Sequence, residues 1–227
     1  MSSSSSTSVF SLWLLLLVTG CSSVPAPAPP TPPQPFAREI GEFLAADRTN
    51  PPPKRGILFI GSSSIRLWET LTQDFPNLPV YNRGFGGSQL SDSVNYAEHI
   101  ILPYKPKQIV VYAGGNDLNA GKTPEQVLAD FQALVAKVRT RLPRTRIAYV
   151  SIAPNPARWA QVEKVRAANR LIEDFTLRNS GLSFINVFPH MLGPDGLPKP
   201  DIYVEDRLHM NKKGYALWKE LVAPYLN

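Results

Sequence analysis

An uninterrupted apolar run, Ile57–Ile60, constrains the fold of this chain more than any other feature, because it is bounded on both sides by glycine. Four apolar residues between glycines are typical of a short strand that is buried on both faces, as in a parallel sheet. After Gly61 the apolar residues from Ile65 to Leu71 recur at helical spacing, which predicts a helix starting near the serines at 62–64. A serine at such a strand-to-helix turn is either a helix cap or a nucleophile.

Strand-like runs and amphipathic helical patterns alternate along the rest of the chain. A first helix is predicted from Phe36, one across Leu90–Ile101, one across Val162–Phe175 with the polar Asn169 on its apolar face, and a last helix from Asn211. The further predicted strands are Leu78–Tyr81, Gln108–Ala113, Arg146–Ile152 and Leu182–Val187. This alternation indicates right-handed βαβ units, and therefore an α/β fold: a three-layer α/β/α sandwich around a five-stranded parallel sheet.

The N-terminal segment, residues 1–20, is predicted to be a signal peptide. Its apolar core, Ser11–Val18, is too short for a stable membrane span and is followed by small residues. Val18–Cys21 resembles the lipobox of bacterial lipoproteins, which implies that Cys21 is lipidated. Ser22 behind it implies outer-membrane anchorage in the bacterial cell envelope, facing the periplasm. The alternative is an ordinary cleaved signal peptide with a chance cysteine.

Residues 21–35 are rich in proline and alanine. Such a composition cannot bury a core and stays extended, so we expect a semi-rigid tether. A tether directly behind a lipidated cysteine holds a domain off a membrane surface. The folded domain is therefore predicted to span residues 36–227.

Composition excludes several classes of protein. With 43% apolar and 19% charged residues the chain is typical of a globular domain, and its net charge of +6 comes from scattered Lys and Arg, which indicates no nucleic-acid partner. The single cysteine, Cys21, excludes an internal disulfide. His99, His190 and His209 lie far apart and outside any H-E-x-x-H frame, so we expect no metal and no cofactor.

Several polar or glycine residues follow the predicted strands, at the edge where open parallel sheets form their sites. Ser63 follows the first strand, Gly87 the second, Asn116 the third, and Asp206 and His209 come after the fifth. Acyl transfer needs these groups: a serine nucleophile, a histidine base, and a carboxylate that orients the imidazole. The candidate oxyanion donors are the N–H groups of Ser63 and Gly87 and the side-chain amide of Asn116.

The loop after the fourth predicted strand, Ala153–Trp159, lies where a substrate loop is expected. Arg158 and Trp159 are therefore predicted to line a substrate pocket. The sequence contains no long apolar lid segment, which favours a small acyl group, such as acetyl on a sugar or a lipid.

Four blocks of the chain, taken in order, resemble the SGNH (GDSL-type) hydrolase superfamily. They are Gly61–Ser63, Asn82–Gly87, Gly114–Asp117 and Asp206–His209. The resemblance implies a flavodoxin-like fold and a serine esterase that cleaves carboxylic esters through an acyl-enzyme. It implies Ser63 as the nucleophile, His209 as the base, Asp206 as its orienting carboxylate, and Gly87 and Asn116 as oxyanion donors.

One position departs from the family pattern: Ser62 stands where the family has Asp. This departure supports a second hypothesis, an inactive carbohydrate- or lipid-binding module of the envelope on the same fold. A third, phosphate or nucleotide binding at the helix start near Ser63, leaves Asn116, Asp206 and His209 without a role.

Overall fold

The computed structural model describes residues 35–226; the predicted signal peptide, Cys21 and the tract up to residue 34 lie outside the described residues. The strands are β1 (Ile57–Gly61), β2 (Val80–Gly84), β3 (Gln108–Tyr112), β4 (Arg146–Val150) and β5 (Leu182–Ile185). They form one parallel sheet with the order β2-β1-β3-β4-β5. This is the flavodoxin-like order. The predicted fold class is confirmed.

Helices cover both faces of the sheet. They are α1 (Ala37–Thr49), α2 (Ser63–Arg66), α3 (Leu71–Asp74), α4 (Leu90–Asn95), α5 (Ala97–Ile100), α6 (Gly115–Asn119), α7 (Pro124–Arg141), α8 (Val162–Leu177) and α9 (Lys212–Val222). Along β1 the side chains alternate between two apolar cores, with Leu58 and Ile60 in one and Ile57 and Phe59 in the other. Within the described range, no helix has the length and apolarity needed to cross a membrane.

The prediction of one continuous helix through Ile65 and Leu71 is wrong. The segment forms two single helical turns, α2 and α3, with Trp68 between them. Trp68 is almost fully buried among aromatic rings, and its indole N–H donates to Asp74 at 2.7 Å. The predicted helix Leu90–Ile101 is likewise divided, with Tyr96 between α4 and α5. Packing of one large aromatic residue accompanies each break.

β4 and β5 each end two residues earlier than predicted, because buried side chains take over their backbone hydrogen bonds. The N–H and the carbonyl of Ile152 are both bonded by the side chain of Asn169, at 2.8 and 2.9 Å. The hydroxyl of Ser151 accepts the N–H groups of Val187 and Phe188. The polar Asn169 on the apolar face of α8 therefore terminates β4 and fixes the start of the loop that follows it.

Candidate active site

The turn after β1 brings the serines to the carboxyl edge of the sheet. Gly61 has a φ of +126°, and a Cβ at this position would lie 1.9 Å from the carbonyl oxygen of Tyr112, so only glycine fits. The N–H of Ser62 then donates to the same carbonyl at 2.9 Å. The chain turns sharply away from the sheet here, and α2 begins at Ser63.

Ser63, His209 and Asp206 form a continuous hydrogen-bonded chain. Ser63 Oγ lies 2.8 Å from His209 Nε2, and His209 Nδ1 lies 2.5 Å from Asp206 Oδ2. Among residues 35–226, neither Ser62 nor Ser64 has a side-chain hydrogen bond to His209. Of the three consecutive serines, Ser63 is therefore the one that contacts the histidine.

The carboxylate of Asp206 is held by its own loop. Its Oδ1 atom accepts the backbone N–H groups of Leu208 and His209, each at 2.9 Å. The limited burial of the carboxylate acts to raise its pKa, but these hydrogen bonds and the imidazole lower the pKa of Asp206 to about 2. Asp206 is thus an ionised acceptor across the neutral range, and it fixes the imidazole with Nδ1 protonated and Nε2 facing Ser63.

Asn116, at the start of α6, is fixed from both ends of its amide. Its Nδ2 atom donates to the carbonyl of Ser88 at 3.0 Å, and its Oδ1 atom accepts from Nη1 of Arg158 at 3.0 Å. The hydroxyl of Ser88 in turn donates to the carbonyl of Gly61 at 3.1 Å. These bonds tie the turn that contains Gly87 to the turns that carry Ser63 and Asn116.

The N–H groups in these turns that have no acceptor among the described residues include those of Ser63 and Gly87, and the second N–H of Asn116 Nδ2. The Ser63 group is free because it belongs to the first turn of a helix. Gly87 has a φ of +80°, in the left-handed region that favours glycine. Unpaired N–H donors beside a candidate nucleophile are the groups that a developing oxyanion would require.

Asp117 is a fully buried carboxylate that holds two of these turns together, and the sequence reasoning assigned it no role. It accepts the N–H of Gly114 at 3.1 Å, the N–H of Leu90 at 3.2 Å and the ammonium of Lys122 at 2.9 Å. Burial raises the pKa of Asp117, while Lys122 acts in the opposite direction. The sequence signal for such a role is the position of Asp117 as the last residue of the block Gly114–Asp117.

A small cavity of about 30 Å³ opens beside Ser63. That is the space of one or two water molecules. Asn116, Arg158 and His209 are among its lining residues, whereas Gly87 and Trp159 are not. The Trp159 ring instead lies 6.0 Å from the guanidinium of Arg166. The further lining residues are Ser62, Ser64, Tyr112, Gly115, Ile152, Ala153, Pro154, Asn155, Met191, Tyr203, Leu208, Met210 and Trp218.

No group of three or more His, Cys, Asp or Glu side chains arranged to hold a metal ion occurs among residues 35–226. The chemistry available at the sheet edge, on the described residues, is that of a hydroxyl, an imidazole, a carboxylate and several N–H donors.

A serine bonded to a histidine at this edge of a flavodoxin-like sheet is typical of the acyl hydrolases. Residues 61–217 match the GDSL-like lipase/acylhydrolase family, and the chain belongs to this family, within the SGNH hydrolases. It is therefore a carboxylic ester hydrolase.

The chain is also similar in sequence or in structure to several named proteins. The chain is 28% identical over 170 residues to the platelet-activating factor acetylhydrolase IB subunit alpha2 of Rattus norvegicus, covering 70% of this chain and 71% of the relative. A GDSL-like lipase from Bacteroides thetaiotaomicron VPI-5482 has a similar structure, with a TM-score of 0.70, 17% identity, and coverage of 82% of this chain and 96% of that one. An acetylxylan esterase from Geobacillus stearothermophilus, solved as a catalytic mutant, gives a TM-score of 0.61 at 13% identity, covering 75% and 94%.

Proposed function

We propose that this enzyme hydrolyses esters of short acyl groups, acetyl above all, through an acyl-enzyme formed on Ser63. The observation that carries the proposal is the hydrogen-bonded chain from Ser63 Oγ to His209 and on to Asp206, at 2.8 and 2.5 Å. These are the contacts that a nucleophile, a general base and an orienting carboxylate require.

In the first half of the reaction, Ser63 Oγ attacks the ester carbonyl carbon while its proton passes to His209 Nε2. The carbonyl oxygen becomes an oxyanion and accepts hydrogen bonds from the N–H groups of Ser63, Gly87 and Asn116. Asp206 accepts the Nδ1 proton of His209 throughout and so stabilises the imidazolium. The carbon–oxygen bond to the alcohol then breaks, and His209 returns the proton to the leaving oxygen.

In the second half, water takes the place of the alcohol. His209 Nε2 removes a proton from the water, whose oxygen attacks the acyl carbon of the Ser63 ester. The same donors stabilise the second oxyanion. Collapse releases the carboxylic acid, and the proton held by His209 returns to Ser63 Oγ.

The preference for a small acyl group is supported by the size of the cavity. The cavity beside Ser63 is small, about 30 Å³, and so favours a methyl-sized acyl substituent there. A larger open groove of about 670 Å³, also lined by His209 and Asp206, is available to the rest of the substrate. Two relatives are named for acetyl chemistry, an acetylhydrolase and an acetylxylan esterase. One is named for platelet-activating factor and the other for acetylxylan, so the acetyl group is the feature that the two names share.

An inactive binding module has less support. That hypothesis rests on Ser62, which stands where the family has Asp. In the structure, the backbone N–H of Ser62 donates to the carbonyl of Tyr112 and so holds this residue in the turn. A module without activity has no use for a histidine oriented by Asp206 and bonded to Ser63.

The proposed function is tested by assaying the purified full-length chain on p-nitrophenyl esters of increasing acyl length. We expect the acetyl ester to be cleaved fastest and turnover to disappear in Ser63→Ala. Ser180→Ala is the matched control, because Ser180 is exposed just before β5, at the opposite edge of the sheet. A folded wild-type protein that cleaves none of the esters would refute the proposal.

We further propose that lipidation at Cys21 anchors the enzyme in the bacterial cell envelope, at the outer membrane facing the periplasm. The support is the sequence Val18–Cys21 and the proline-rich tract behind it. Incorporation of radioactive palmitate in a bacterial host, lost in Cys21→Ala, is the expected result. A secreted, unlabelled wild-type protein would contradict it.

A further inference from the structure

The guanidinium of Arg158 donates hydrogen bonds to the block Gly114–Asp117, beside Ser63. Its Nη1 atom donates to Asn116 Oδ1 at 3.0 Å and to the carbonyl of Gly115 at 3.2 Å. Arg158 is half-buried and lines the cavity at Ser63. One cation therefore fixes the amide of the candidate oxyanion donor and the backbone next to it.

The segment that carries Arg158 is itself fixed. The side chain of Asn155 accepts the N–H of Arg158 at 2.9 Å, and the N–H of Ala157 donates to the carbonyl of Arg207 at 3.1 Å. Arg207 lies between Asp206 and His209 in the chain. The loop after β4 is thus attached both to the histidine loop and, through Arg158, to the oxyanion side of the site.

An asparagine amide has two orientations of nearly equal shape, which exchange its nitrogen and its oxygen. At Asn116 the carbonyl of Ser88 accepts from one end of the amide, and the guanidinium of Arg158 donates to the other. If the Asn116 amide rotated by half a turn, Oδ1 would face the carbonyl oxygen of Ser88 and Nδ2 would face the guanidinium of Arg158. Both contacts would then be repulsive, so the two neighbours select one orientation.

We propose that Arg158 is a positioning residue for catalysis, which holds the Asn116 amide with its free N–H, and not its oxygen, toward the substrate carbonyl. The inference deepens the function proposed above and rests on it. Without Arg158 the Asn116 oxygen is free to turn toward the developing oxyanion, where it would repel the charge.

The charge of Arg158 contributes to the same effect. A guanidinium keeps its proton throughout the physiological pH range, and it draws electron density from the amide oxygen that it bonds. The N–H of Asn116 becomes a stronger donor as a result. The positive charge also lies one hydrogen-bonded group behind the oxyanion, where partial burial limits screening.

A different role, recognition of an anionic group on the substrate, predicts a different kinetic signature. Loss of a substrate-binding contact raises KM, whereas loss of an interaction made in the transition state lowers kcat. The two roles are therefore separated by steady-state kinetics of one variant.

The experiment is a double-mutant cycle on the full chain with p-nitrophenyl acetate. Arg158→Met is expected to lower kcat about 10–100-fold, with KM changed by less than about threefold. Arg158→Lys, which keeps the charge and a donor, is expected to recover part of the loss. In the Asn116→Ala background, Arg158→Met is expected to lower kcat less than about threefold, because the group that it positions is gone. Arg170→Met, on the exposed face of α8, is the matched control.

Equal losses in both backgrounds would overturn the proposal, and so would an increase in KM with kcat unchanged. A second readout does not depend on turnover. The side-chain amide resonances of Asn116, identified by their absence in Asn116→Ala, should shift in Arg158→Met and not in Arg170→Met. Unchanged resonances would overturn the positioning contact even if the wild type cleaved no ester, an outcome that would refute the proposed function separately.

Discussion

The two sides of the site are built in different ways. On the histidine side, Asp206 bonds Leu208 and His209, only two and three residues away in the chain, and its side chain is 46% exposed. On the oxyanion side, named for the donors proposed above, Asn116 bonds Ser88 and Arg158, which are 28 and 42 residues away. A fully buried carboxylate, Asp117, supports this second side.

This difference has a consequence for mutation. A local, exposed hydrogen-bonded loop contributes chemistry and little stability, because its partners stay close together in the unfolded chain. A buried network that joins distant segments contributes both, because its loss leaves buried polar groups unpaired. Substitutions on the histidine side should therefore separate activity from stability, and substitutions on the oxyanion side should affect the two together wherever the side chain is buried.

The largest effect on activity is expected from Asp206→Asn. The amide no longer fixes the imidazole with Nδ1 protonated, so kcat should fall about 10³–10⁴-fold. Thermal unfolding should change little, because the carboxylate is half-exposed. Asp174→Asn, on the exposed face of α8, is the control for both measurements. A large decrease in Tm with activity retained would contradict the expectation that the histidine side contributes activity and little stability.

Asn116→Ala is expected to lower kcat about 10²–10³-fold, because one of the three proposed oxyanion donors is removed. The fold should remain intact, since Asn116 borders the cavity and is not fully buried. Asn119→Ala, an exposed residue on the same helix, provides the control in the same assay. A decrease of less than tenfold would remove Asn116 from the oxyanion site.

Asp117→Asn should combine the two effects. Replacing the buried carboxylate weakens the bonds to Gly114, Leu90 and Lys122, so the free energy of unfolding should fall by about 1–3 kcal/mol. The activity should fall by about tenfold, because the two turns that carry the proposed oxyanion donors loosen. Asp130→Asn, which removes the half-exposed partner of the same lysine, should cost less in chemical denaturation. Equal stability of the two variants would contradict the comparison.

The smallest effect is expected from the pH dependence of Asp206. Its pKa of about 2 lies below the ordinary value of 3.8, so its ionised form contributes stability above pH 3.8 that is lost as the pH falls toward 2. The difference in unfolding midpoint between wild type and Asp206→Asn should be constant near neutral pH and shrink in acid. A difference that grows in acid would mean that the carboxylate is not held as described.

The same division, local against long-range, decides what the sequence predicts. The alternation of strands and helices indicates the sheet, and the carboxyl ends of its strands bring Ser63 and Asn116 to one edge. Asp206 and His209 are recognisable because their spacing is local. The breaks at Trp68 and Tyr96, the early end of β4 at Asn169 and the bond from Arg158 to Asn116 depend on packing between distant segments, which periodicity does not encode. The catalytic roles of Ser63, Asn116, Asp206 and His209 stay predictions.

Whether Ser63 carries the acyl group can be measured by mass spectrometry of the protein quenched in acid after brief exposure to p-nitrophenyl acetate. We expect one added acetyl group, located by digestion on Ser63 and absent from Ser63→Ala. Acetylation of Ser62 or Ser64 instead, or ester turnover that persists unchanged in Ser63→Ala, would contradict it.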